Sequence, residues 1–120
     1  MRKSIYVFLA LFAVIVAGLL GSVAYAHPTI DIVASNWKFT PAKISVPINE
    51  ESTLRLTSSA GVHGLKADEL GIPDTTISPG KFALVKFTPT KPGTYVVHCA
   101  VVCGPGHPNM ALTIEVTSGQ

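Results

Sequence analysis

The chain has 120 residues, 48% of them hydrophobic and 13% charged, which is enough for one domain. Arg2 and Lys3 stand at the extreme N-terminus, so residues 27–120 carry seven basic and seven acidic side chains and no formal net charge. A surface without basic excess excludes nucleic acid as the expected partner, and no repeat or low-complexity stretch suggests a fibrous or disordered chain.

In chain order, the basic start Met1-Arg2-Lys3 is followed by 22 uncharged residues, Ile5 to Ala26. Ala24-Tyr25-Ala26 fits a small-residue cleavage site, so residues 1–26 read as a signal peptide. The same run is long enough to cross a ~30 Å hydrocarbon core as a helix, so it reads equally as a membrane anchor. Either way Arg2 and Lys3 stay inside and residues 27–120 face away from the cytoplasm.

Residues 27–120 are expected to form one all-β domain. Ile30 and Ile32 alternate with polar residues in Thr29–Ala34, and Ile44 and Val46 alternate before Pro47. Leu54 and Leu56 alternate with Thr53, Arg55 and Thr57; Phe82, Leu84 and Val85 fall in Lys81–Phe87. Tyr95, Val97 and Cys99 share one parity of Thr94–Cys99, and Leu112, Ile114 and Val116 alternate with Thr113, Glu115 and Thr117. Period-two runs of five to seven residues mean half-buried strands. Pro47-Ile48-Asn49, Ser78-Pro79-Gly80 and Lys91-Pro92-Gly93 punctuate them as turns. Six or seven such strands, with no helix-period stretch after residue 26, read as a β-sandwich.

The segment Cys99 to Met110 has the spacing C-x3-C-x3-H-x2-M and holds both cysteines and the only methionine besides Met1. Two thiolates, an imidazole and a thioether are a soft donor set, which favours copper. A structural disulfide is the ordinary reading of two exported cysteines, but it leaves His107 and Met110 at their fixed offsets unexplained. Zinc fits less well, because thioether is a poor zinc ligand and paired cysteine motifs normally come in twos. Gly104, Pro105, Gly106 and Pro108 suit a compact, pre-shaped loop between two strands.

One ligand is missing from a closed site. His63, in Ala60-Gly61-Val62-His63-Gly64-Leu65, has small neighbours and is the favoured candidate. His98 has the opposite strand parity to Cys99 and is expected to point away, while His27 borders the apolar segment. A mononuclear blue-copper site could use His63, Cys103, His107 and Met110 alone, but it would leave Cys99 idle.

Val62-His63-Gly64, Ser78-Pro79-Gly80, Lys91-Pro92-Gly93-Thr94-Tyr95 and the run C-x3-C-G-x-G-H-x2-M before a strand resemble the CuA domain of cytochrome c oxidase subunit II. Phe39-Thr40-Pro41-Ala42-Lys43-Ile44-Ser45-Val46-Pro47 resembles an early strand of the same family. The likeness covers nearly all of residues 36–117 and is greatest to the short subunit II of B-family haem-copper oxidases. It implies a cupredoxin-like Greek-key β-sandwich and a dinuclear copper centre. Cys99 and Cys103 would bridge two copper ions, and His63 and His107 would each bind one. Met110 would be a weak axial ligand to one copper and the Val101 carbonyl to the other.

The resemblance also implies a one-electron carrier passing electrons from a donor such as cytochrome c toward a haem-copper oxidase catalytic subunit, with no catalysis by the isolated chain. The chain departs from the family in three respects. It has at most one membrane helix, and Val101 replaces the familiar acidic residue that helps bind magnesium at the catalytic subunit. The aromatic patch where electrons enter is reduced to Trp37 and Phe39. The alternative function is copper storage or delivery to an oxidase. Against it stand the closed ligand set and the single methionine of residues 27–120. A nitrous oxide reductase shares the copper motif, but so short a chain has no room for its catalytic domain.

Overall fold

Alternation of the kind written in Leu54-Arg55-Leu56 is realised as nine β-strands in the computed structural model, which describes residues 27–118. They are β1 (Thr29–Ser35), β2 (Lys38–Thr40), β3 (Lys43–Pro47), β4 (Ser52–Ser58), β5 (His63–Ala67), β6 (Ile72–Ile77), β7 (Ala83–Phe87), β8 (Gly93–His98) and β9 (Ala111–Thr117). The expected N-terminal apolar helix of residues 1–26 lies outside the described residues. Among the described residues there is no α-helix, only single 3₁₀ turns at Asp68–Leu70 and His107–Asn109, and no helix long and apolar enough to cross a membrane.

The strands form a four-stranded sheet in the order β2-β1-β4-β7, a three-stranded sheet in the order β3-β9-β8, and the hairpin β5-β6. β1 pairs in parallel with β4 and β3 with β9, so the chain crosses between sheets instead of running as a simple meander. Leu54 and Leu56 of β4 and Leu112 and Ile114 of β9 are fully buried, while Arg55 is exposed. The inward parities of the two sheets, with Ile32, Ala34 and Phe39, make one core. Burying each such aliphatic side chain contributes about 1.5–3 kcal/mol, so the core carries the sandwich.

The six alternating segments all become strands, within two residues of their expected ends. In β7 the inward side chains are Val85 and Phe87, whereas Phe82 and Leu84 are exposed and the Phe82 ring lies under the Arg55 guanidinium at 4.2 Å. The register pairs His98 with Ala111 and His63 with Ile77. A bridge between Leu65 and Cys99, and a hydrogen bond from Ala100 N–H to the Gly64 carbonyl at 3.0 Å, bring the start of β5 against the loop that joins β8 to β9. Segment 99–110 and His63 thus meet at one end of the sandwich.

Candidate metal centre

The loop begins and ends on the ladder. Cys99 N–H donates to the Met110 carbonyl at 3.0 Å, one step beyond the β8–β9 pairing. Within it, His107 N–H donates to Gly104, Asn109 N–H to Gly106 and Met110 N–H to His107, at 3.1, 3.1 and 3.2 Å. These consecutive tight turns, with Pro108 set in the first turn of the 3₁₀ helix, fold His107 back over Cys103.

Six atoms from the expected residues come together. Both cysteines are free thiols, and their Sγ atoms are 3.4 Å apart. Cys103 Sγ lies 3.5 Å from His107 Nδ1 and 3.8 Å from Met110 Sδ. Cys99 Sγ lies 3.2 Å from the Val101 carbonyl oxygen and 4.0 Å from His63 Nδ1. Ligand atoms of His63, Cys99 and Cys103 all fall within 4.8 Å of one another. Two ligands each ~2.3 Å from a tetrahedral ion sit roughly 3.8 Å apart, so these separations suit atoms that share a metal. They are far from the ~2.05 Å of a disulfide.

Burial grades the set. His63 and Met110 are 0% exposed and Cys99 is buried, whereas Cys103 and His107 are half-buried. Burial, and then the Cys99 thiol beside it, pushes the metal-free Cys103 thiol from 9.0 up to about 11. The metal-free Cys103 thiol is thus held protonated, and a cation must displace that proton to bind.

The orientation of His63 has its own cause. Its Nε2 lies 2.8 Å from the Ala60 carbonyl, which can only accept, so Nε2 carries the proton and Nδ1 turns its lone pair to the sulfurs. Ser58 braces that carbonyl's loop: its hydroxyl donates to Gly61 O at 2.6 Å and accepts from Ala60 N–H at 3.2 Å. Ser58, Ala60 and their turn do not stand out in the sequence; the readable signal is the pair of glycines flanking His63. A Cβ at Gly64 would fall 2.7 Å from Val101 Cγ2, so that glycine lets β5 approach the cysteine loop.

The remaining candidates are placed as follows. His98 is exposed on the outer face of β8, and His27 is exposed at the start of the described chain. Trp37 is 37% exposed, and its Nε1 donates to the Cys103 carbonyl at 2.9 Å. Val102, between the cysteines, is 86% exposed, and Val62 beside His63 is 46% exposed. Two thiols, two imidazoles, a thioether and a carbonyl in one cluster fit copper by donor softness and by spacing.

The sequence is 33% identical over 88 residues to cytochrome c oxidase subunit 2 of Thermus thermophilus, an alignment covering 73% of this chain and 64% of the relative. It is 27% identical over 95 residues to the same subunit of Myxine glutinosa, covering 78% of this chain and 41% of the relative. The chain therefore spans less than two thirds of the length of these relatives. The fold matches the periplasmic domain of subunit II of cytochrome oxidase (CoxB) of Bradyrhizobium japonicum with a TM-score of 0.69 at 20% identity, over 80% of this chain and 88% of that one. It also matches reduced auracyanin of Roseiflexus castenholzii with a TM-score of 0.56 at 20% identity, over 78% of this chain and 99% of that one. The model of the cupredoxin-like domain matches residues 5–109. On that match, which takes in every strand but the last and the whole cysteine loop through Asn109, the chain belongs to the cupredoxin-like domain family.

Proposed function

We propose that this chain is a one-electron carrier with a dinuclear CuA copper centre, serving as a subunit II-like partner of a haem-copper oxidase outside the cytoplasm. The observation that carries the reading is the unbroken run of donors from His63 through Cys99 and Cys103 to His107 and Met110, each within 4.0 Å of the next along the run or of Cys103. Cys99 and Cys103 would be shared by two copper ions, His63 completing one and His107 the other. Met110 and the Val101 carbonyl would be the weak ligands. Bound there, paired copper supplies reversible one-electron exchange.

The protein's share is to hold that centre still, with its His63 side shut away from water. His63 is buried with its tautomer set by Ala60, Met110 is buried beneath Cys103, and the loop is tied to the β8–β9 ladder at both ends. A site that keeps its ligands fixed needs little reorganisation when its charge changes. The likeness to subunit II proteins supports an oxidase catalytic subunit as the electron acceptor. A c-type cytochrome is the proposed donor. The likeness to a periplasmic domain supports a location outside the cytoplasm, with residues 1–26 as leader or anchor.

Copper reconstitution of the reduced protein tests the reading. Two copper ions per chain and a seven-line hyperfine pattern in electron paramagnetic resonance are expected, since an electron shared by two equivalent spin-3/2 nuclei gives seven lines. One copper with four lines would replace the dinuclear centre by a blue-copper site. Rapid surrender of copper to an apo acceptor, with slow electron uptake, would favour copper delivery.

A further inference from the structure

Trp37 touches the cysteine loop in two ways that an electron relay does not require. Its indole Nε1 donates to the carbonyl of Cys103 at 2.9 Å. Its side chain also packs closely on the chain that follows: a Cβ built on Gly104 would fall 3.0 Å from Cζ2 and Nε1, and one built on Gly106 would fall 2.5 Å from Cδ2 and 2.6 Å from Cβ of Trp37.

The two glycines differ in what they owe to this contact. Gly104 has φ +123°, which disfavours any side chain in its own right. Gly106 has φ −86° and ψ 0°, a turn conformation that most residues can adopt, so its missing side chain answers to Trp37 and not to the backbone. The plate thus covers the stretch between Cys103 and His107, and the turn from His107 N–H to the Gly104 carbonyl forms beneath it.

We propose that Trp37 is a positioning residue for the outer half of the metal centre, holding the Cys103–Gly106 backbone so that Cys103 Sγ and His107 Nδ1 face one another. The inner half needs no such cover, because His63 is buried and tied to Ala60. The outer half is half-buried, and Trp37 is the side chain that closes over its backbone. The role rests on Cys103 and His107 being ligands, but the packing beneath it is testable without metal.

The first experiment uses metal-free, reduced protein and a double-mutant cycle. Gly106→Ala should lower Tm by roughly 5–15 °C with Trp37 present, because the new methyl meets the ring. In the Trp37→Ala background the same change should be close to neutral. Equal losses in both backgrounds would overturn the packing claim. If Trp37→Ala does not fold, amide exchange in Trp37→Leu, which keeps apolar bulk but removes the aromatic plate, decides. Faster exchange confined to His107 and Asn109 supports the claim, and unchanged exchange overturns it.

The second experiment uses copper-loaded protein. Trp37→Phe keeps an aromatic plate but offers no donor to the Cys103 carbonyl. It should keep its copper stoichiometry, change the hyperfine and visible spectra, and lose copper to a chelator about tenfold faster, the scale of one hydrogen bond. An unchanged spectrum and loss rate, with only electron exchange slowed, would make Trp37 a relay and not a positioning residue.

Discussion

His63 Nε2–H donates a hydrogen bond to the Ala60 carbonyl at 2.8 Å, and that one bond decides which ring nitrogen faces the cysteines. The carbonyl is held in turn by a turn cross-braced through the Ser58 hydroxyl. A metal-facing imidazole fixed by a backbone acceptor is ready to bind without choosing its tautomer or its rotamer.

Ser58→Ala should therefore weaken the metal centre without touching a ligand. It frees the Ala60 N–H and the Gly61 carbonyl and lets the acceptor of His63 drift. The expected loss is about tenfold in copper affinity, the lower end for partners one step behind a ligand. Chelator competition measures it, and an affinity equal to that of the unmodified protein would remove Ser58 from the site's support.

Substitutions of the cluster should rank by donor strength. Cys99→Ser and Cys103→Ser are expected to abolish the dinuclear spectrum, because in the proposed centre each thiolate would serve both metals. Met110→Leu should retain two coppers and shift the reduction potential, since a thioether tunes more than it binds. His98→Ala should leave the visible spectrum unchanged, in keeping with its exposed place on β8. Bleaching by His98→Ala but not by His63→Ala would reverse the choice of histidine.

The pH dependence follows from Cys103. Its metal-free thiol is raised from 9.0 to about 11, so the folded chain holds this proton more tightly than the unfolded chain. Its contribution to stability is present below pH 9.0 and is lost as pH rises toward about 11. Thermal unfolding of the reduced metal-free protein should show Tm falling across that window. Below it, copper binding must expel the proton, so apparent affinity should rise about tenfold per pH unit for each thiol proton released.

Without metal, the 3.4 Å between the two Sγ atoms is short enough for a small loop motion to bring them to bonding distance. Aerated metal-free protein should form a Cys99–Cys103 disulfide and then refuse copper until it is reduced. Thiol counting and copper uptake before and after reduction check both halves; two stable thiols would mean that the loop keeps the sulfurs apart.

Ser52 at the start of β4 is fully buried, and among the described residues its hydroxyl has no hydrogen-bond partner. Such a group costs about 1–3 kcal/mol of desolvation. Ser52→Ala should accordingly leave stability unchanged or raise it, a result that denaturant unfolding would register. A loss of more than about 1 kcal/mol would show that the hydroxyl is satisfied in solution.

What could be read beforehand follows from local pattern. β4 and β9 were legible because apolar and polar residues alternate through their middles, Leu54-Arg55-Leu56 and Leu112-Thr113-Ile114 being the clearest. β5 was not, because His63, Gly64, Leu65 and Ala67 are all buried and no alternation survives. β6 begins and ends on buried isoleucines but has exposed or half-buried residues between them, and three-residue β2 is too short for a period to show. In the site, the cysteine loop was legible from spacing and His63 from its glycines. The bonds behind them were hidden, because Ala60 contributes only a carbonyl and Trp37 reaches Cys103 across 66 positions of sequence.

The hydrogen bond from Cys99 N–H to the Met110 carbonyl places two timescales side by side. That rung belongs to the ladder, so its amide should exchange with solvent deuterium only when β8 and β9 part, at the slow rate of whole-domain opening. The ten residues it encloses lie beyond the ladder, held by short turns and by single hydrogen bonds to Gly64 and Trp37, which can open without parting the strands. Metal exchange and unfolding are therefore expected as separate kinetic events, with copper lost while the Cys99 amide remains protected.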